Sequence, residues 1–167
     1  MSKAVLEATL VMAVLSAIAV LSLWLQQPLL APSLGSAAFV QVMSPTEKSA
    51  RAYDTALGQL VGVAGGLIGV YVASAATVPM FAGDHPLVWA RVLALAVAVG
   101  MTVAGQRLLK ASSPAGGATA VVLAIGVEAA SWPGAGRLVA AILLVTALGE
   151  LARLAVLQKP HNRTEHG

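Results

Sequence analysis

Residues 31–40 read APSLGSAAFV, and residues 113–122 read SPAGGATAVV. Sliding one half of the chain onto the other by 82 residues places Pro32 on Pro114, Gly35 on Gly117, Ala38 on Ala120 and Val40 on Val122, with mostly small residues between. Each copy interrupts a membrane-crossing stretch with proline and glycine. Paired interruptions at corresponding places in two halves mark the binding sites of transporters built from repeats, so this pair points to a transport site.

The rest of the chain fits that reading. Of 167 residues, 58% are hydrophobic and 10% charged, and the mean hydropathy is +0.85, which places the chain in a bilayer rather than among soluble domains. Long uncharged runs cover 8–27, 56–83, 92–105, 118–127 and 138–149, several of them near the ~20 residues that a spanning helix needs. The chain has no cysteine, and its histidines are His85, His161 and His166. Neither a thiolate site nor a histidine cluster for a metal is expected, and no cofactor. The net charge of +3 lies scattered between apolar segments without a basic, aromatic-interleaved face, which argues against nucleic acid. The first apolar stretch carries Glu7 and belongs to the repeat, so it reads as a retained helix rather than a cleaved leader.

Charge placement favours six crossings, at about 4–26, 28–44, 56–81, 86–109, 113–132 and 137–157. With the N-terminus in the cytoplasm, Lys3, Lys48, Arg51, Arg107, Lys110, Arg153, Lys159 and Arg163 all fall inside, as the positive-inside preference demands. An alternative with four spans and two re-entrant segments would move Lys48, Arg51, Arg107 and Lys110 outside. Trp24, Trp89 and Trp132 then share the outer interface, where indoles are favoured. Three crossings per half is an odd number, so the halves are expected upside down relative to each other. The expected fold is an all-α membrane protein, a single transmembrane domain over 1–167. It holds a 3+3 inverted repeat of 4–81 and 86–157, and a polar cytoplasmic tail at 158–167. Both termini are cytoplasmic, in the plasma (inner) membrane of a bacterium.

Segments two and five are too short for uninterrupted spanning helices and are expected to be broken, each an extended stretch followed by a half-helix that starts near mid-membrane. A helix N-terminus offers unpaired N–H groups and about half a positive charge, so two converging N-termini make an anion site without a buried lysine. Its expected donors are the backbone amides of Gly35, Ser36 and Ala37 from one half and of Gly117, Ala118 and Thr119 from the other. The Ser33, Ser36, Ser113 and Thr119 hydroxyls complete the shell, and Gly116 permits the tight turn. The same small residues also serve close helix packing, the plainer reading.

Arg91 and Arg137 are expected at the outer entrance, drawing anions in or anchoring the interface. Gln41, Gln59 and Gln106 are expected along the inner exit, or solvated near helix ends. Glu150 and Arg153 are three apart and suited to pair, and Glu128 belongs near the outer surface. Gly58, Gly62, Gly65, Gly66 and Gly69 give segment three two G-x-x-x-G spacings, for packing inside the chain or for a homo-oligomer. No paired nucleophile and base suggests an enzyme.

SSPAGGATAVVLAIG resembles the signature of the HPP family of integral membrane proteins, a His-Pro-Pro-Ala-Gly run followed by Ala-Thr-Ala. PSLGSAAFVQVMSP resembles that family's earlier Gly-Ala-Ser-Ala segment, and the glycine-rich stretch after Asp54 corresponds as well. Ser112 and Ser113 stand where the family has its histidine and first proline, and Gln59 where a histidine is common. The resemblance implies transport of nitrite or a related anion. SPTEKSARAYDTALGQLVG is more weakly similar to fusaric-acid-resistance membrane proteins, which implies export of aromatic acids. The leading expectation is a carrier or channel for small inorganic anions, nitrite first and nitrate second, within the lipid bilayer. The alternative is a membrane scaffold whose glycine faces assemble partners without transport.

Overall fold

The computed structural model describes residues 3–26, 32–82 and 85–158. They form six α-helices: α1 (Lys3–Leu25), α2 (Pro32–Met43), α3 (Ala52–Val72), α4 (Trp89–Leu108), α5 (Pro114–Ala124) and α6 (Trp132–Gln158), with a 3-10 turn at Lys48–Ala50. The all-α class stands. Four helices, α1, α3, α4 and α6, are long and apolar enough to cross a membrane. The other two hold 12 and 11 residues, about 18 and 17 Å of helix at 1.5 Å per residue, well short of a ~30 Å hydrocarbon core. Residues 28–31, expected as the extended lead into α2, and the tail beyond Gln158 lie outside the described residues.

Helix ends follow local chemistry more closely than apolar run length. The third segment was expected to reach residue 81, but α3 stops at Val72 because Ser74 takes a positive φ of 50°. There the Ala75 N–H donates to the Val70 carbonyl and the Ser74 N–H to that of Tyr71, the Schellman closure of a helix end. Lys110 (φ 53°) ends α4 and Gly126 (φ 88°) ends α5 with the same bond pattern. At its other end α3 begins four residues before the expected 56, with Asp54 in its first turn, a position its negative charge favours.

α3 is the hub. One face packs on α5, running the same way: a methyl added at Gly58 would meet Ser113, at Gly62 the Gly116 carbonyl, and at Gly66 the Leu123 side chain. The adjoining face packs on α4, running the opposite way, with Gly65 against Thr102 and Ala98 and Gly69 against Ala94 and Ala98. All five glycines are buried and taken up inside the chain. Both glycine faces are occupied by α4 and α5.

α2 packs mainly on α6, also running the same way, with Gln41 over Gly149 and Arg153 bonded to the Pro45 carbonyl beyond the end of α2. Pro45 leads into α3, and the Tyr71 hydroxyl near the end of α3 donates to Ala130 just before α6 (3.0 Å). The two long helices α3 and α6 therefore run in opposite directions. The remaining pairings are α1 with α6 and α2, α4 with α5, α2 with α5, and α3 with α6. A core of Ile18, Leu34, Ala38, Val42, Leu123, Ile142 and Val145 fills the junction.

Gly62→Ala is expected to destabilise by about 1–3 kcal/mol, the usual range for overpacking, read as a lower melting temperature in detergent. Gly117→Ala, whose added methyl meets no atom within 4 Å, is expected to leave stability unchanged or raise it by up to ~1 kcal/mol through helix propensity.

Candidate functional site

α5 begins partway along α3 rather than level with its end. Ser113, the residue before α5, lies against Gly58, six residues after α3 starts, which is about 9 Å along the helix. Two polar clamps fix that start. The Gln106 amide nitrogen donates to the carbonyls of Gly58 (3.2 Å) and Ser113 (3.0 Å), while its oxygen accepts from the Ser113 N–H (3.2 Å). The buried carboxylate of Asp54 accepts from the Ser112 N–H (2.9 Å) and stands 3.7 Å from the Lys48 ammonium. Expected along an exit, Gln106 is instead consumed in holding α5, because all its hydrogen-bonding ends are engaged. Asp54 had no assigned role, and its only sequence signal is an acid in a helix's first turn.

The far end of α5 has its own clamp. Arg91 was expected at an outer entrance, yet it is buried, 4% exposed. Its guanidinium donates to the carbonyls of Val78, Pro79 (3.4 Å) and Ala124 (3.0 Å). The positive φ of Gly126 leaves the space that it fills. A cation at the carbonyl end of a helix is favoured by the dipole, so Arg91 fastens α5 to the loop after α3. Arg137 stays half-buried near the start of α6, near enough to Glu128 to act on its charge.

The nine residues expected around the anion fall into two groups. Gly116 is packed against Gly58 and Gln106, and Ala37 is buried in the core. Ser36 is exposed, and its hydroxyl donates to the Ser33 carbonyl (2.8 Å). Ser113 is spent on Gln106 through its backbone. By contrast, Gly35 and Gly117, one repeat apart, are the two motif glycines where an added methyl meets nothing within 4 Å, and Ala118 beside Gly117 is half-buried. Thr119 is buried, its hydroxyl within bonding distance of the Ala115 carbonyl (3.0 Å) and Gln59 Oε1 (3.3 Å).

Buried polar atoms in folded proteins nearly always find partners. Among those that lack one here are Ser33 Oγ, Gln59 Nε2, Gln41 Oε1 and Thr146 Oγ1. Gln41 does use its nitrogen, which donates to the Thr146 carbonyl (3.3 Å). Thr146 was not foreseen; a hydroxyl in the middle of the apolar sixth segment is its only sign.

Two outcomes follow for the clamps and the loop between α5 and α6. Arg91→Met is expected to lower stability by at least about 1.5–3 kcal/mol, one charged hydrogen bond's worth, measured by thermal unfolding in detergent. Burial holds the Glu128 carboxyl above the usual carboxylate range, with Arg137 pulling it part of the way back. A raised folded-state value means that stability is lost as pH rises through it. Glu128→Gln is therefore expected to melt higher than the wild type at neutral pH, with the difference vanishing below about pH 4, where the carboxyl is protonated in both states.

The model of the family described as HPP, transmembrane region, matches residues 1–164. No curated protein matches the chain, and no solved structure does. A match over nearly the whole length, on a bundle with four helices able to span a bilayer, makes this chain an integral membrane protein that belongs to the HPP family.

Proposed function

We propose that the protein moves small inorganic anions across the membrane, nitrite first and nitrate second, through a site between the first turns of α2 and α5. The observation that carries this reading is the open space at Gly35 and Gly117. Both keep an unfilled side, as Gly100 and Gly136 also do, but these two stand one repeat apart, each in the first turn of a short helix. The amides of Gly35, Ser36 and Ala37, and of Gly117, Ala118 and Thr119, are the proposed backbone donors, with the helix dipoles as the source of positive potential.

The packing supports the inverted repeat that this mechanism needs. Exchanging α1 with α4, α2 with α5 and α3 with α6 turns the set of main helix pairings into itself. The detail repeats too: Leu123 sits on Gly66 and Gln41 on Gly149, positions 82 and 83 residues apart. Opposed directions of α3 and α6 go with a two-fold axis in the membrane plane, the symmetry of inverted repeats built around a central site. Lys48, Arg51, Arg107 and Lys110 cluster at one end, which the positive-inside preference assigns to the cytoplasm of a bacterial cell.

Reconstituted in liposomes, the full chain is expected to pass nitrite and nitrate but not urea, and Gly117→Leu to abolish that flux without unfolding the protein. Transport of urea alone, or nitrite flux untouched by Gly117→Leu, would overturn the proposal.

A further inference from the structure

The start of α3 and the end of α4 meet at one end of the bundle, and two turns there hold four cations. The Lys48 carbonyl accepts from the Arg51 N–H (3.1 Å), and the Arg107 carbonyl accepts from the Lys110 N–H (3.2 Å), so each pair of cations shares one turn. The two turns are tied to each other. The Lys48 ammonium donates to the Lys110 carbonyl, and the Tyr53 hydroxyl donates to that of Leu109 (3.5 Å). The Asp54 carboxylate holds Lys48 on one side and the Ser112 N–H on the other.

Asp54 answers the charge of Lys48. Arg51, Arg107 and Lys110 are exposed, and among the described residues no carboxylate is paired with any of them. The other acid of these turns is Glu47, also exposed. The opposite end of the same helices differs: Arg91 is buried among carbonyls, and Arg137 is half-buried within the influence of Glu128.

The level of these cations is fixed by the helices. Arg51 immediately precedes the apolar span 52–72, while Arg107 and Lys110 close the span 89–108. That is the depth at which hydrocarbon gives way to lipid headgroups. Apolar side chains stand exposed beside them, Tyr53 at 63%, Leu108 at 82% and Leu109 at 48%. A soluble anion matches the cations alone. A molecule that is anionic at one end and apolar at the other matches both, and arginine and lysine at this depth attract such lipids.

We infer that the turns at 48–51 and 107–110 form a binding site for an anionic phospholipid, its phosphate held by Arg51, Arg107 and Lys110 and its acyl chains lying along Tyr53, Leu108 and Leu109. The inference is independent of what the protein transports. A headgroup there bridges α3 and α4 at the junction from which Ser112 leads into α5.

The test is native mass spectrometry of the full chain in detergent with equal amounts of phosphatidylglycerol and phosphatidylcholine, with melting measured in parallel. Wild type is expected to retain phosphatidylglycerol in preference. Arg107→Gln combined with Lys110→Gln is expected to lose about 5-fold in phosphatidylglycerol affinity for each charge removed, the worth of one cation near an anionic surface. Its phosphatidylcholine binding and lipid-free melting should not change. The charge-conserving pair Arg107→Lys and Lys110→Arg should retain the preference, and Glu47→Gln should raise phosphatidylglycerol affinity. Equal binding of the two lipids by the wild type, or wild-type phosphatidylglycerol affinity in the double glutamine variant, would overturn the inference. Displacement of the bound lipid by an equal concentration of inorganic phosphate would assign the cations to a soluble anion and overturn it as well. If the double glutamine variant melts lower, Glu47→Gln decides: an unchanged phosphatidylglycerol affinity there sinks the lipid site.

Discussion

The fold depends on how closely the backbone of α3 approaches that of α5. In lipid, burying apolar side chains against each other gains little, since the solvent is as apolar as they are. Helices associate through van der Waals contact and hydrogen bonds, and small residues allow the nearest approach. Gly58 and Gly62 meet Gly116 with backbone against backbone. No side chain fits between them. Gly65 and Gly69 repeat the arrangement toward α4, so one helix with two bare faces organises three.

Upon that contact rest the polar clamps, which place a helix too short to place itself. α5 is fixed at its start by Gln106 and Asp54 and at its end by Arg91. An 11-residue helix has little stability of its own. The unpaired backbone groups at its two ends are costly in a medium without water, and the clamps answer part of that demand. The open flank at Gly117 thus sits on a helix held firmly at either end.

The membrane class and the six helical segments were legible in composition and charge, because lipid imposes those on any sequence. The helix starts at Pro32 and Pro114 were legible too. What could not be read was how individual polar residues are used. Gln106 and Arg91 have the appearance of groups solvated near helix ends, and only the folding of a neighbouring helix over them turns them into clamps. Gln59 differs from Gln106 in one respect invisible to sequence: its nitrogen has no carbonyl in reach. The end of α3 was misjudged for a related reason, since apolar residues continue past Val72 while the backbone turns at Ser74.

One consequence concerns the order in which the molecule can be assembled. α3 packs on α4, α5 and α6 rather than on the two helices that precede it, and α1 and α2 find their main partner in α6. During synthesis the first three helices would enter the lipid with most of their contact surfaces unmatched, and α1 would wait for the last helix to be made. The two halves of the sequence are therefore not two halves of the structure. Cutting the chain between α3 and α4 would yield fragments that complete each other only by interlocking.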